Sequence, residues 1–438
     1  MIEPRTLKGF RDYLPAAMIP RERLIDTARR VYRSYGFSPI DTPALEYLEI
    51  LTGKGSTETD KQLYKFEDHG GRQVGLRFDL TVPLARFAAQ HIGELGTPFK
   101  RYQIATVWRG ENTQRGRYRE FMQCDFDTIG TLALTADIET TLVIHDLFRA
   151  LGVEAFTIHV NNRLVLTGLL ERWGLADKTT TILRALDKLE KIGREQVATE
   201  MVEAAGATVD QARAVLRLAD IQGANDAILS QLDSLVAGSP KSQEGVSQLR
   251  DLTTAVIAAG LDPARVKIAP SIARGLDYYT GLVFETFLDQ LPGIGSVCSG
   301  GRYDNLAGLY TKQLLPGIGA SLGLDRLLAA FEELGVSDKV GASAEVFLPF
   351  FDATRLHCYL RIAAQLRAAG LGVEFYPEPR KIGDQLKYAD RRGFRVALVV
   401  GGNEFAAGQA QLKNLANRTS EIVPLDDNLA IAVRKHLY

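Results

Sequence analysis

The spacing of hydrophobic and polar positions divides the chain into three parts. In the first part, residues 21–35, 82–90 and 137–151 place apolar side chains at helical intervals, which predicts amphipathic helices. The segments KRYQIATVWRG and YREFMQCDFDTIG are rich in β-branched and aromatic residues, so they predict two strands joined by the polar loop ENTQRGR. AFTIHVNN predicts another strand. This part is therefore predicted to form an antiparallel sheet packed with helices.

The second part, Arg163–Gly260, has a different composition. It contains one aromatic residue, Trp173, and one proline, Pro240, among many Ala, Leu, Glu, Gln and Lys residues. Segments such as TILRALDKLEKI and QARAVLRLADI have helical periodicity, and AGSPKSQEG is predicted to be an exposed loop. Strand character resumes after residue 260, so a helical insertion at 163–260 interrupts a sheet domain formed by 1–162 and 261–335.

The third part follows a predicted linker, VSDKVGASA. Its apolar strands AEVFLPF, GVEFYP and FRVALVV alternate with helical segments at 354–369 and 382–392. Such alternation is typical of a parallel or mixed sheet, so residues 343–438 are predicted to form a separate α/β module.

Composition narrows the class of protein only slightly. The chain has 438 residues and a formal net charge of -1, so no overall basicity indicates a nucleic-acid partner. Its three cysteines are far apart and support neither a disulfide framework nor a zinc site. The first residues lack the apolar core of a signal peptide, and no apolar run has the length of a membrane span. We expect a soluble, cytoplasmic protein.

Arginines are concentrated around the loop that joins the two predicted strands, at positions 109, 115, 117 and 119. Such a cluster is either a solvated hairpin tip or an anion site. Arg109 follows Trp108 at the end of an apolar strand, not at the tip, which favours the anion site.

The returning strand carries a polar stripe. Because side chains alternate along a strand, Gln123, Asp125 and Asp127 share one face while Phe126 lies on the other. A polar stripe on so apolar a strand indicates a lined cavity. The alternative is an edge strand that faces water.

Three other motifs leave their roles open. Asp79 and Thr81, in FDLT, are both suited to cap the predicted helix 82–90. Arg326 follows Asp325 on a predicted helix, an arrangement typical of a surface ion pair. The stretch SIARGLDYYTGLVFETF puts Arg274 at the entrance to an apolar strand, where an unpaired buried charge is costly.

Together these motifs resemble those of the class II aminoacyl-tRNA synthetases and, among them, the histidyl-tRNA synthetase family. FSPIDTPALE is similar to motif 1 of the class, VWRGENTQRGRYREFMQCDFD to motif 2 and GIGASLGLDRLLAAF to motif 3. ARGLDYYTGLVFE and CSGGRYDNLAG are similar to stretches specific to the histidine enzymes. The resemblance covers nearly the whole chain. It implies an α+β fold: a class II antiparallel-sheet catalytic domain with a helical insertion, followed by a C-terminal α/β anticodon-binding domain.

The resemblance implies a histidine–tRNA ligase, which activates L-histidine with ATP to histidyl-adenylate, releases pyrophosphate and transfers histidine to the 3′ end of tRNA(His). Its catalytic residues are expected to be Arg109 and Arg274, close to the reacting carboxylate and α-phosphate. The ATP-binding residues that it implies are Arg109, Glu111, Arg117, Phe121 and Arg326. The histidine-binding residues that it implies are Asp79, Leu80, Thr81, Arg109, Gln123, Asp127, Arg274, Tyr278 and Tyr279.

The same resemblance implies further ligands and partners. Mg²⁺ is expected as the counterion of ATP, with no protein side chain assigned to it. A homodimer with Pro43 at its interface is expected, and the basic residues of 378–395 are expected to meet the anticodon.

Two departures from the bacterial pattern accompany the match. The motif 2 loop reads GENTQRGRYRE in place of the HERPQKGRYRQ type, which puts recognition of the extra 5′ guanosine of tRNA(His) in question. Asp79 replaces the glutamate of the PEGT form.

Three alternatives stay open at this point. A non-catalytic synthetase-like regulatory subunit of ATP phosphoribosyltransferase shares the catalytic fold but usually lacks the C-terminal module. A synthetase for another amino acid is disfavoured by Asp127, Tyr278 and Tyr279, which suit an imidazole. A plain RNA-binding module leaves Arg109 and Arg274 unexplained.

Overall fold

The computed structural model describes residues 1–53, 57–272, 278–336 and 341–437. They fall into two compact units. The larger unit comprises Met1–Arg11 and Leu24–Val336, and the smaller comprises Asp12–Arg23 and Ser337–Tyr438.

The larger unit is built on an eight-stranded sheet and a small three-stranded sheet. In chain order the strands are β1 Ser38–Pro39, β2 Leu45–Tyr47, β3 Lys65–Glu67, β4 Gln73–Leu76, β5 Phe99–Trp108, β6 Glu120–Ile129, β7 Phe156–Asn162, β8 Val266–Ile268, β9 Leu282–Leu288, β10 Cys298–Tyr303 and β11 Gly317–Gly323. The large sheet has the order β1-β5-β6-β11-β10-β9-β7-β8, and β2-β4-β3 form the small one. In this sheet order, each pair of neighbouring strands from β5 through β6, β11, β10 and β9 to β7 is antiparallel. This confirms the predicted sheet.

Helices precede, separate and follow these strands along the chain. They are α1 Pro15–Ser34, α2 Leu48–Thr52, α3 Thr57–Gln62, α4 Thr81–Leu95, α5 Leu134–Ala150, α6 Arg163–Arg172, α7 Thr179–Asp187, α8 Leu189–Ile192, α9 Arg194–Ala205, α10 Val209–Ala219, α11 Asn225–Val236, α12 Pro240–Ala258 and, after β11, α13 Leu324–Leu334. Tyr32 of α1 contacts Phe126 of β6 with ring centroids 5.0 Å apart, and both side chains are fully buried.

The segment from α6 to α12 is helical, as its composition predicts. Its buried side chains, such as Val165 and Leu249, belong to the same hydrophobic cluster as Val160 and Phe284 of the sheet. This segment and the large sheet belong to the same compact unit. The boundaries expected for a separate insertion domain stay a prediction.

The expectation of an exposed loop at 237–245 is wrong from Pro240 onward, where α12 begins. Ser242 is fully buried and donates a hydrogen bond to the carbonyl oxygen of Val165 at 2.8 Å. A Cβ atom on Gly168 would lie 2.5 Å from the Ser242 Oγ atom. The small residues of this stretch therefore allow α6 and α12 to pack closely. Small residues are also common in loops, so this stretch has the composition of a loop although its residues serve helix packing.

The smaller unit contains a mixed five-stranded sheet of order β13-β12-β14-β15-β16. Its strands are β12 Val346–Leu348, β13 Val373–Phe375, β14 Val396–Val399, β15 Gln409–Asn414 and β16 Thr419–Pro424, and its helices are α14 Leu356–Ala368, α15 Ile382–Arg391, α16 Gly402–Ala407 and α17 Leu429–Leu437. β12 pairs in parallel with β13 and β14, which confirms the predicted α/β pattern. The antiparallel hairpin of β15 and β16 was not predicted. No helix within the described residues is long and apolar enough to cross a membrane.

Candidate active site on the open face of the sheet

The polar stripe on β6 lies on the side of the sheet opposite the hydrophobic cluster. Gln123, Asp125 and Asp127 are buried polar residues, whereas Cys124 and Phe126 between them belong to the core. This confirms the predicted alternation. The register places polar or small residues beside the stripe on both neighbouring strands: Ala105, Gln103 and Arg101 on β5, and Gly323, Ser321 and Gly319 on β11.

Asp127 has a partner on each carboxylate oxygen. The Tyr303 hydroxyl donates to Oδ1 at 2.5 Å, and Arg101 Nη2 lies 2.6 Å from Oδ2. Burial raises the pKa of Asp127, while Arg101 and the Tyr303 hydrogen bond oppose that rise. A Cβ atom on Gly319 would lie 2.2 Å from Asp127 Oδ1, so only glycine leaves room for the carboxylate here.

Asp79 contacts both the start of α4 and Tyr278. Its Oδ1 accepts a hydrogen bond from the backbone N–H of Val82 at 2.9 Å, so its side chain satisfies a donor in the first turn of α4, although Leu80 is the N-cap residue. Its Oδ2 lies 3.4 Å from the Tyr278 hydroxyl. Burial raises the pKa of this carboxyl, and Arg109 is among the groups that oppose the rise. Leu80 is fully buried beside it and Thr81 is half-buried.

Tyr278 and Tyr279 border the same space. Their ring centroids are 5.1 Å apart, and the Tyr278 ring lies 5.8 Å from that of Tyr303. Burial raises the pKa of Tyr279, and Asp127 raises it further, so the phenol stays neutral. The structure therefore gathers two carboxylates and three phenols around one part of the sheet face.

Arg109 is held between two aromatic rings. Its guanidinium carbon lies 4.3 Å from the Phe78 ring centroid and 5.0 Å from that of Phe121, and its Nε donates to the Phe78 carbonyl at 3.1 Å. Burial lowers the pKa of Arg109, while Asp79 and Glu111 oppose the change.

Arg109, Arg117 and Arg326 line one cavity, together with Glu111, Phe121, Gln123, Ser321 and residues around them. The pKa of Arg326 is lowered to about 10, chiefly by burial and also by Arg117 and Arg109, which carry the same charge. Arg326 also donates a hydrogen bond to the Ser296 carbonyl. Three cations beside an aromatic wall can bind an anionic ligand that carries a ring.

Gln123 lies between this cavity and the carboxylates and phenols around Asp127, a group called here the carboxylate pocket. Its Nε2 donates to the Ser321 hydroxyl at 2.8 Å, and both side chains line the arginine cavity. Asp127 lies on the same strand face four residues further along β6. The two groups of residues are therefore adjacent parts of one site.

Four residues of the site were not chosen from the sequence. Arg101 and Tyr303 contact Asp127, and Arg11 lies 2.6 Å from Asp325, whose other oxygen accepts the Met122 backbone N–H at 2.8 Å. The only signal for Arg101 was a charge within an apolar strand, two positions from Gln103 on the same face.

One predicted residue lies apart from this site, and another is not among the described residues. Pro43 is exposed, just ahead of β2. Arg274 lies outside the described residues. No group of three His, Cys, Asp or Glu side chains in the described part of the chain is arranged to hold a metal ion.

Comparison with known proteins identifies the family. The family model for histidyl-tRNA synthetase matches residues 9–327. The chain belongs to the histidyl-tRNA synthetase family. A second model, the anticodon binding domain, matches residues 351–435 within the smaller unit. Membership confirms the fold class expected from the sequence.

Full-length relatives agree with this family. A histidine–tRNA ligase from Rhodopirellula baltica is 67% identical over 423 residues, covering 97% of this chain and 96% of the relative. One from Wolinella succinogenes is 46% identical over 417 residues, covering 95% and 94%. The crystal structure of histidyl-tRNA synthetase from Nostoc sp. PCC 7120 superposes with a TM-score of 0.89 at 35% identity and covers both chains completely.

A structure described as an ATP phosphoribosyltransferase regulatory subunit/histidyl-tRNA synthetase, from Bacillus halodurans, has a TM-score of 0.74 at 23% identity. It covers 88% of this chain and 96% of its own. At that identity the likeness shows a shared fold alone. The regulatory alternative is the less supported one, because the near full-length relatives at 67% and 46% identity are ligases.

Proposed function

We propose that this chain ligates histidine to tRNA(His) in two steps, with ATP-dependent formation of histidyl-adenylate on the open face of the large sheet. The proposal is carried by two different groups of side chains that lie next to each other on that face. One consists of carboxylates and phenols, the other of three arginines and an aromatic ring around a cavity, and Gln123 lies between them. Such a pair suits an amino acid with an ammonium group and an imidazole, bound next to a polyphosphate.

Catalysis rests on positioning and on charge. The histidine carboxylate has to approach the α-phosphorus in line although both groups are anionic, so cations near both lower the barrier. Arg109 is held in place by Phe78 and Phe121 and is assigned to the α-phosphate and the carboxylate. Arg326 and Arg117 are assigned to the outer phosphates, and Phe121 and Glu111 to the adenine. Arg274 keeps its catalytic assignment from the family resemblance alone.

Histidine is assigned to the carboxylate pocket. Asp79, Thr81 and Gln123 would receive the α-ammonium beside the buried Leu80, and Asp127 and Tyr279 would contact the two imidazole nitrogens, with Tyr278 next to them. An imidazole offers one donor and one acceptor, and the neutral Tyr279 phenol can serve as either. An apolar amino acid would leave these buried groups unpaired, which disfavours it about 10⁴-fold or more by general precedent.

Mg²⁺ would accompany ATP mainly through the phosphates. A Mg²⁺ ion that keeps most of its waters and bridges phosphates needs few protein carboxylates, and no step of the mechanism is assigned to it.

The tRNA and a second subunit complete the proposal. Exposed basic residues on and beside α15 suit the single-stranded anticodon: Arg380, Lys381, Lys387, Arg391 and Arg395. The exposed Pro43 and its exposed apolar neighbours Leu45 and Tyr47 offer a surface for a homodimer. We propose a cytoplasmic location for such an enzyme.

Histidine-dependent exchange of pyrophosphate into ATP tests the first step. We expect exchange that requires histidine, and a loss of about a hundredfold or more in Arg109→Met, because a cation facing the transition state is removed. Asp127→Asn should mainly raise the KM for histidine. Arg115→Met is the matched control: it is exposed on the same loop, pairs with Glu333 at 2.9 Å and should exchange like the parent protein.

Two outcomes would contradict the proposal. Exchange that does not depend on histidine would refute the substrate assignment. An Arg109→Met protein as active as Arg115→Met would refute the site assignment.

A further inference from the structure

Arg101 lies near the start of β5, opposite Asp127 of β6. Its side chain has no exposed surface, although a lone guanidinium is among the costliest groups to bury. Its Nη2 atom lies 2.6 Å from Asp127 Oδ2 and 4.0 Å from Asp125 Oδ2. Among the described residues, none forms a well-aligned hydrogen bond with its Nε, Nη1 or Nη2 atom. Its contribution is therefore mainly its charge.

That charge is shared by two carboxylates on one strand. Asp125 and Asp127 are two residues apart on the same face of β6 and both are buried, so each raises the free energy of the other's ionised form. One guanidinium for two carboxylates leaves the group one positive charge short. The closer carboxylate, Asp127, receives most of the stabilisation because the Coulomb energy falls with distance.

We propose that Arg101 is a positioning residue for histidine specificity: together with Tyr303 it holds Asp127 as an oriented, ionised acceptor for an imidazole N–H. This rests on the proposed placement of histidine against Asp127. With Oδ1 bound by Tyr303 and Oδ2 facing Arg101, the carboxylate cannot rotate freely, and Oδ1 keeps a lone pair that Tyr303 does not use.

Protonation of Asp127 would weaken this contact. The carboxylic acid would present an O–H donor where the imidazole N–H requires an acceptor. The ionisable groups that face Asp127 come from all the elements around it: Arg101 on β5, Asp125 on β6, Asp79 ahead of α4, Tyr279 ahead of β9, Tyr303 at the end of β10 and, behind the sheet, Tyr32 on α1. Arg101 is the one cation among these groups. Removing it should move the protonation of Asp127 to higher pH.

The test is the pH dependence of the KM for histidine in pyrophosphate exchange, taken as a ratio to the parent protein so that the titration of histidine itself cancels. For Arg101→Met we expect the KM ratio to be about tenfold or more near pH 7, which is the usual effect of losing a charged partner. This ratio should fall as the pH rises toward 9. The KM for ATP should change less than twofold, since the arginine cavity is not altered. Arg101→Lys keeps the charge but changes the shape, so its ratio should not vary with pH.

A double variant keeps the test usable if Arg101→Met folds poorly. Arg101→Met with Asp125→Asn removes the repelling carboxylate together with the cation, so the ratio near pH 7 should be smaller than in Arg101→Met alone. A ratio for Arg101→Met that is the same at every pH would overturn the proposal and indicate a purely structural effect.

Asp127→Asn separates this inference from the proposed function. If Asp127→Asn leaves the KM for histidine unchanged, the pocket assignment itself fails. If Asp127→Asn raises that KM and Arg101→Met does not, only the role of Arg101 fails.

Discussion

The Arg11 guanidinium lies 2.6 Å from the carboxylate of Asp325, although 314 positions separate the two residues in the chain. Asp325 is almost fully buried, and its other oxygen accepts the backbone N–H of Met122. The same guanidinium stacks over the Tyr118 ring at 3.8 Å. Arg11 thus connects the loop between β5 and β6, which contains Tyr118, to the first turn of α13, where Arg326 follows Asp325.

Arg11→Met should therefore weaken ATP binding. Removing Arg11 leaves a buried carboxylate with one charged partner fewer beside Arg326, so Arg326 loses orientation. We expect a rise of several-fold in the KM for ATP and a smaller change in the KM for histidine, measured by pyrophosphate exchange. Arg5→Met, at an exposed position of the same segment, is the control. Equal effects of the two variants would contradict the connection.

Gly319→Ala should impair histidine more than ATP. The added methyl group would lie 2.2 Å from Asp127 Oδ1, so the carboxylate has to move away from Tyr303. We expect the KM for histidine to rise about tenfold or more, by loss of a charged hydrogen bond. The control is Gly308→Ala, which has nothing within 4 Å of the added atom. A Gly319→Ala protein with the parent KM would show that Asp127 has another place to lie.

Gly168→Ala should destabilise the larger unit by about 1–3 kcal/mol, the usual cost of overpacking. The added atom would meet Ser242 Oγ at 2.5 Å between α6 and α12. Urea unfolding measures the change. Gly93→Ala in the exposed part of α4 has an empty surrounding, so it should instead stabilise by up to about 1 kcal/mol through helix propensity. The same sign for both variants would contradict close packing at Gly168.

Asp125 should make stability fall as the pH rises. Burial raises the pKa of Asp125 to about 7, and Asp127 contributes to the rise. Because the folded state holds this proton up to a higher pH than the unfolded state, the folded state binds more protons between about pH 4 and 7, so the free energy of unfolding decreases across that interval.

Asp125→Asn removes this dependence. We expect the stability of the Asn variant relative to the parent to increase from pH 5 to pH 7 and to level off above, as measured by urea unfolding at several pH values. Asp233→Asn, which removes a half-exposed surface ion pair with Arg250, should show no such trend. A difference between Asp125→Asn and the parent that stays constant with pH would contradict the raised pKa.

The sequence was most informative where a local rule acts alone. Alternation along β6 placed Gln123, Asp125 and Asp127 on one face, because strand geometry fixes that pattern without tertiary information. The same holds for Asp79 at the start of α4. Arg101 and Tyr303 escaped prediction because their role depends on strand pairing, and the ladder that brings Arg101 opposite Asp127 cannot be read from either segment alone.

The residues around Pro240 show the limit of composition. Gly, Ser and Pro usually indicate a loop, but here they serve a close contact between two helices and the first turn of one of them. Nothing in the local sequence distinguishes the two uses, because the partner helix begins 77 residues earlier, at Arg163.

The hydrophobic cluster that α6 to α12 share with β7 and β9 has a consequence for how the larger unit unfolds. Two layers with a common interior do not melt separately, because opening either one exposes the apolar side chains of the other to water. The amides of α12 should then exchange with solvent as slowly as those of the central strands. On heating, the helices and the active-site strands would unfold in one cooperative transition.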